Sequence, residues 1–166
     1  MGASRVAQAV GLLAAMAVFG VFAATSTPEG SHGIGIWPVG VATVVLMLAP
    51  RPRTPVLLAV IALIAVGSLW VGGFSTGVAL GLGLGLAAEA AVAWWILAGG
   101  RHERAPLRTS VDLARFLAAV AVGALVVASC AAVTSVVTGW GDPGRLALSV
   151  GTSSLVAQLT IVPLFC

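Results

Sequence analysis

Lysine is absent from the sequence, acidic residues number five, and only 8% of the 166 residues are charged, against roughly 25% in an average soluble domain. A water-soluble fold of this length needs a polar coat that these residues cannot supply. Without lysine there is no phosphate-binding loop ending in Gly-Lys, no H-E-x-x-H pair occurs, and the G-x-S-x-G spacing at Gly73–Gly77 falls between two apolar runs rather than on a strand-to-helix elbow. No enzymatic signature is therefore legible, and no catalytic activity is expected of these residues. Cysteine is equally scarce, with Cys130 in an apolar run and Cys166 at the last position. That excludes a disulfide framework, and no Cys/His spacing suits a metal, so neither metal nor cofactor is expected.

What is present is apolar: 60% of the residues are hydrophobic. Uninterrupted apolar runs bounded by Gly, Pro and charge lie near 6–25, 34–49, 55–73, 77–97, 115–138 and 145–165. Most reach the roughly 20 residues that cross a bilayer as helix. The run at 34–49 is at the short limit. Transmembrane β-strands would alternate polar and apolar residues, and no such alternation occurs. The expected fold is an all-α, polytopic transmembrane bundle of about six helices in one domain.

The formal net charge of +3 rests on eight arginines. They are scattered between apolar segments, where they mark topology, and no nucleic-acid surface is expected. With a cytoplasmic amino terminus, six crossings put Arg5, Arg51, Arg53, Arg101, Arg104, Arg108 and Arg115 inside and only Arg145 outside. This positive-inside bias predicts cytoplasmic N and C termini. Trp37, Trp70 and Trp140 then fall near outer ends and Trp94 and Trp95 near an inner end, as interfacial anchors do. The first run also has a competing reading as a cleaved signal peptide, with Ala23 and Ala24 as the small residues at the cleavage site.

Glu89 is the only ionisable group deep inside a predicted span, where burying a charge costs about 2.5 kcal/mol or more. Two readings stand. It is a proton- or cation-responsive group or a ligand's hydrogen-bond partner, or it is a protonated acid satisfied by a hydroxyl of the fifth or sixth segment. Gly77, Gly81 and Gly85 precede it at four-residue spacing, forming a small-residue stripe suited to close helix packing. The sixth segment carries Ser149, Thr152, Ser153, Ser154, Gln158 and Thr160, either as cavity lining or as interhelical hydrogen-bonding groups. Ser153 and Gln158 are the candidates chosen from it.

The stretch 99–116, "GGRHERAPLRTSVDLARF", concentrates charge beside a span and reads as a juxtamembrane anchor near anionic lipid. Ser110 is a plausible N-cap, Asp112 suits the first helical turn, and Asp112 and Arg115 can pair across it. Arg108 completes this juxtamembrane group. At the other face, "SHGIGIWPVG" (31–40) marks a span entrance with Trp37 as anchor and Pro38 in a first turn, where its missing N–H is not needed.

The run "IGIWPVGVATVVLMLAPR" (34–51) resembles the outer Trp-Pro segment and basic turn of the membrane-associated sensor family, first class (MASE type). "ALGLGLGLAAEAAVAWWIL" (79–97) resembles that family's Gly-rich glutamate helix, with Glu89 on its glutamate. "TSVDLARFLAAVAVGALV" (109–126) is similar to its fifth-helix start, matching Asp112 and Phe116, and "IVPLF" (161–165) to its sixth-helix exit. The sequence departs from the family pattern at Val39, at Leu86-Ala87 and across "LSVGTSSLVAQ" (148–158).

The resemblance implies a sensory input module of the bacterial cytoplasmic membrane, used in signalling such as two-component systems. Its output would be a cytoplasmic kinase, cyclic di-GMP or phosphatase domain outside these 166 residues. Membrane lipids, a small-molecule ligand or ion near Trp37, Glu89 and the sixth-helix hydroxyls, a signalling domain and a second copy of the chain are the expected partners. Two other readings fit the length and helix number: a small transport subunit, such as the substrate-binding component of a vitamin-uptake system, and a structural or truncated membrane protein.

Overall fold

The computed structural model describes residues 3–26, 39–49, 51–98 and 109–165. The described residues form six α-helices: α1 (Ala3–Thr25), α2 (Val39–Leu48), α3 (Thr54–Val71), α4 (Thr76–Ala98), α5 (Ser110–Thr138) and α6 (Pro143–Ile161), with 3-10 turns at Arg51–Arg53 and Val162–Phe165. Helices α1, α3, α4, α5 and α6 are long and apolar enough to cross a membrane. The protein is thus a multi-pass helical membrane protein with five candidate spans and one shorter apolar helix.

The run at 34–49, at the short limit already in the sequence, contains the short helix α2. Its 10 residues extend roughly 15 Å, half of a ~30 Å hydrocarbon core. Pro50 opposes α geometry in the residue before it, and the helix stops at Leu48. Its first residue, Val39, shares a packed cluster with Leu69, Val78 and Leu146. Val44 belongs to a second cluster with Leu97, Phe116 and Val162, near the opposite ends of α4, α5 and α6. α2 thus runs through one half of the bundle, and all of Val39, Ala42, Thr43, Val44, Val45 and Leu46 are buried.

The outer faces are as greasy as the interior. Leu63, Trp95, Val136, Val137, Leu148 and Leu164 are each at least 70% exposed, whereas the buried set includes Glu89, Gln158, Ser154, Thr43 and Ser135. Apolar side chains outside and polar ones within is the pattern that lipid favours, and it implies lipid contact around the bundle.

The glycine stripe sets the α4–α5 interface. A Cβ on Gly77 would lie 3.1 Å from Thr138 Cγ2, one on Gly81 would overlap the Thr134 side chain, and one on Gly85 would lie 2.7 Å from Cys130 Cβ. Advancing four residues on α4 retreats four on α5, so the helices are antiparallel with interlocked four-residue ridges. The Thr134 and Thr138 hydroxyls donate to Cys130 O and Thr134 O, each at 2.7 Å. Both hydroxyls are thereby satisfied within their own helix.

Local signals fix the helix ends. Thr109, not Ser110, caps α5: its hydroxyl accepts from Asp112 N–H at 3.2 Å, while its own N–H donates to Asp112 Oδ2 at 3.1 Å. Ser110 is already the first helical residue because this reciprocal box needs a spacing of three. The cap starts α5 at Ser110, ahead of the apolar run that begins near 115. At 29 residues it is roughly 43 Å long, so its ends extend past the hydrocarbon. Thr109→Ala is expected to cost about 1 kcal/mol. A lower unfolding midpoint in detergent and faster amide exchange in the first turn of α5 would register it, with Ser110→Ala showing no comparable change.

The α5–α6 turn uses Gly139 and Gly141 at φ 67° and 74°, a region glycine adopts without strain. Ser135 Oγ donates to Gly141 O at 3.0 Å, and Trp140 meets Phe74 edge-on with centroids 5.4 Å apart. Asp142 then caps α6 by accepting from Arg145 N–H at 2.8 Å. At its far end α6 gives way to a 3-10 turn at Val162, because Pro163 lacks an N–H for continued helix.

Candidate functional site

Glu89 lies near the middle of α4, fully buried, four residues beyond the last glycine of the stripe. At Gly85 the helix is held against Cys130 of α5; one turn later the facing residue is Gly123. A Cβ at Gly123 would lie 3.2 Å from both Glu89 Cγ and Gln158 Nε2. The missing side chain on α5 is thus filled by a carboxyl arm from α4 and an amide from α6.

Three side chains meet there. Ser154 Oγ and Gln158 Nε2 both donate to Glu89 Oε1, the amide at 2.6 Å. Ser154 and Gln158 are one turn apart on α6 and present their polar groups to the same point. Glu89 and Gln158 are wholly inaccessible and Ser154 nearly so. Among the described residues, Glu89 Oε2 and Gln158 Oε1 have no hydrogen-bond partner. The site therefore holds two unanswered acceptor oxygens, one on each half of a hydrogen-bonded pair. An unmet buried polar atom costs about 1–3 kcal/mol, so this arrangement is short of one donor.

The sequence-derived candidates distribute unevenly around this point. Glu89 and Gln158 come together directly. Ser153 is half-buried, and the hydroxyl that reaches Glu89 belongs to its neighbour Ser154; one residue turns the helix by about 100°. Gly77, Gly81 and Gly85 hold α4 against α5 rather than lining the polar centre. Asp112 serves the α5 cap and Arg115 is exposed on the first turns of the same helix. Trp37, Pro38 and Arg108 lie outside the described residues, as do His32, His102 and Glu103.

Gly123 and Ser154 were not singled out from sequence. The i, i+4 pairing of Ser154 with Gln158 was an available signal. Gly123 offered none, because its role exists only once three helices are assembled. Other sixth-helix hydroxyls are occupied locally: Thr152 donates to Leu148 O and Thr160 to Val156 O, both on exposed faces.

No protein-family model, curated protein or solved structure matches the chain.

Proposed function

We propose that the chain is the membrane-embedded sensory input module of a bacterial signalling protein, with both termini cytoplasmic and α6 as the element that passes a ligand or ion cue to a cytoplasmic output domain. The observation that carries this reading is the bond from the Glu89 carboxyl on α4 to Ser154 and Gln158 on α6. An ionisable residue in mid-membrane is costly to keep, and here its polar contacts fall on the last helix. The resemblance of "IGIWPVG" and of the glutamate helix to membrane-associated sensors supports the same assignment.

A cue acts only through a difference in affinity for two packings of the bundle. Interhelical hydrogen bonds in membranes are worth about 0.6–2 kcal/mol, so losing one shifts such an equilibrium roughly 3- to 30-fold. That range suits a signalling switch and does not require the bundle to unfold.

The test is a chimera in which the chain is fused after Cys166 to a reporter histidine kinase. Glu89→Leu, which removes two such bonds, is expected to change basal kinase output by at least the roughly 3- to 30-fold set by losing one. Native output from a normally inserted Glu89→Leu chimera would make Glu89 a packing residue only. The orientation is tested separately: a topology reporter fused at the same point is expected to be active only on the cytoplasmic side.

A further inference from the structure

We propose that Glu89 and Gln158 form a binding site for a single exchangeable proton, carried on Glu89 Oε2 and shared with Gln158 Oε1 across the α4–α6 interface. This deepens the sensory reading and rests on it only for the proton's role as cue; the site's chemistry stands on the geometry alone. Glu89 Oε1 already accepts from Ser154 and from Gln158 Nε2. The two remaining oxygens of the pair, Glu89 Oε2 and Gln158 Oε1, are buried acceptors with nothing to accept from among the described residues. One proton supplies the missing donor. As Oε2–H it donates to the amide oxygen, and carboxyl and amide then face each other through two antiparallel hydrogen bonds.

A metal ion fits the same gap poorly. Hard cations take about six or more oxygen ligands, and two oxygens are free here. Proton uptake from water forms one O–H bond and cancels one negative charge. Release breaks that bond, returns the proton to water and leaves a carboxylate whose Oε2 faces the amide oxygen with no donor between them among the described residues.

Among the described residues no other charged group is built into this environment. The titratable residues of the described part of α5 are Asp112 and Arg115 in its first turns and Cys130, which packs on Gly85. Those associated with α6 are Asp142, its cap, and Arg145, both exposed. α2 has none, and α3 is preceded by the exposed Arg53. Arg115 and Arg145 are eight and nine residues along their helices from Gly123 and Ser154, roughly 12 and 13 Å. No arginine among them is placed to replace the proton as counter-charge.

Infrared difference spectroscopy of the full chain in phosphatidylcholine–phosphatidylglycerol vesicles, titrated from acidic to alkaline pH, tests the site. The expected result is one carboxylic-acid C=O band that shifts in D2O, disappears on alkalinisation and is missing from Glu89→Gln at every pH. Ser154→Ala, which removes a donor to the carbonyl oxygen, is expected to move the band to higher frequency, and Gln158→Leu to move it too. Absence of a Glu89-dependent band, or a band indifferent to both α6 substitutions, would overturn the proposal. So would its loss when sodium replaces potassium at constant pH, since a metal cation would then be the occupant. A Glu89-dependent band with an unresponsive kinase chimera keeps the proton site and removes the sensory reading; a responsive chimera without the band does the reverse.

Discussion

Gly81→Val is expected to be strongly damaging to the α4–α5 interface. A Cβ there would overlap the Oγ1, Cγ2 and Cβ atoms of Thr134, whose hydroxyl is tied to Cys130 O on its own helix. The α4–α5 interface cannot absorb this by rotating one flexible side chain, so two antiparallel backbones must separate. Overpacking of this kind costs about 1–3 kcal/mol and occasionally more, and the upper part of that range is expected. Denaturant titration in mixed micelles should show the loss, and Thr134→Ala in the same chain should recover much of it. Gly67→Ala is the contrasting case: a Cβ at Gly67 meets nothing within 4 Å. It should be neutral or stabilising by up to about 1 kcal/mol through helix propensity.

The second large effect is expected at the polar centre. Glu89→Leu removes the acceptor of two buried donors, Ser154 Oγ and Gln158 Nε2. Each stranded group costs about 1–3 kcal/mol, offset in part by the apolar surface that leucine buries. Glu89→Leu combined with Gln158→Leu should be less destabilised than the sum of the single changes, because both ends of the bond are then gone. A coupling energy indistinguishable from zero would mean that the two side chains act independently. Glu89→Gln should be far milder than Glu89→Leu, since an amide retains an acceptor for Ser154 and adds a donor for Gln158 Oε1.

These two sites differ in how far the sequence exposes them. Runs of apolar residues long enough to cross a bilayer make α1, α3, α4, α5 and α6 legible, because hydropathy acts over a whole helix and tolerates errors of a residue or two at its ends. The glycine spacing of four is equally local, yet nothing in it names Thr134 and Cys130 as the facing residues. That register depends on surface shape across a sequence separation of about fifty residues. Apolar character continues across 34–49, and of that run the described residues place Val39–Leu48 in helix.

Within α6 the difficulty is chemical. Serine and threonine hydroxyls satisfy themselves on the preceding turn, as Thr152 and Thr160 do, so a hydroxyl in a span need not point inward. Ser153 and Ser154 are therefore nearly equivalent in sequence, and only the direction of α4 selects Ser154. Glu89 was legible for the opposite reason: a carboxyl in mid-membrane cannot be left without neighbours.

The Glu89 carboxyl is expected to determine where α6 sits. Spin labels on cysteines introduced at Trp95 and Leu164, which are 72% and 77% exposed, would report the separation of the ends of α4 and α6 by pulsed EPR in vesicles. Cys130 and Cys166 would be replaced by serine in the labelled chain. The distance distribution is expected to shift or broaden in Glu89→Leu and to stay at the native value in Glu89→Gln. Identical distributions in the native chain and in Glu89→Leu, with the bundle still folded, would contradict the claim that this carboxyl positions the last helix.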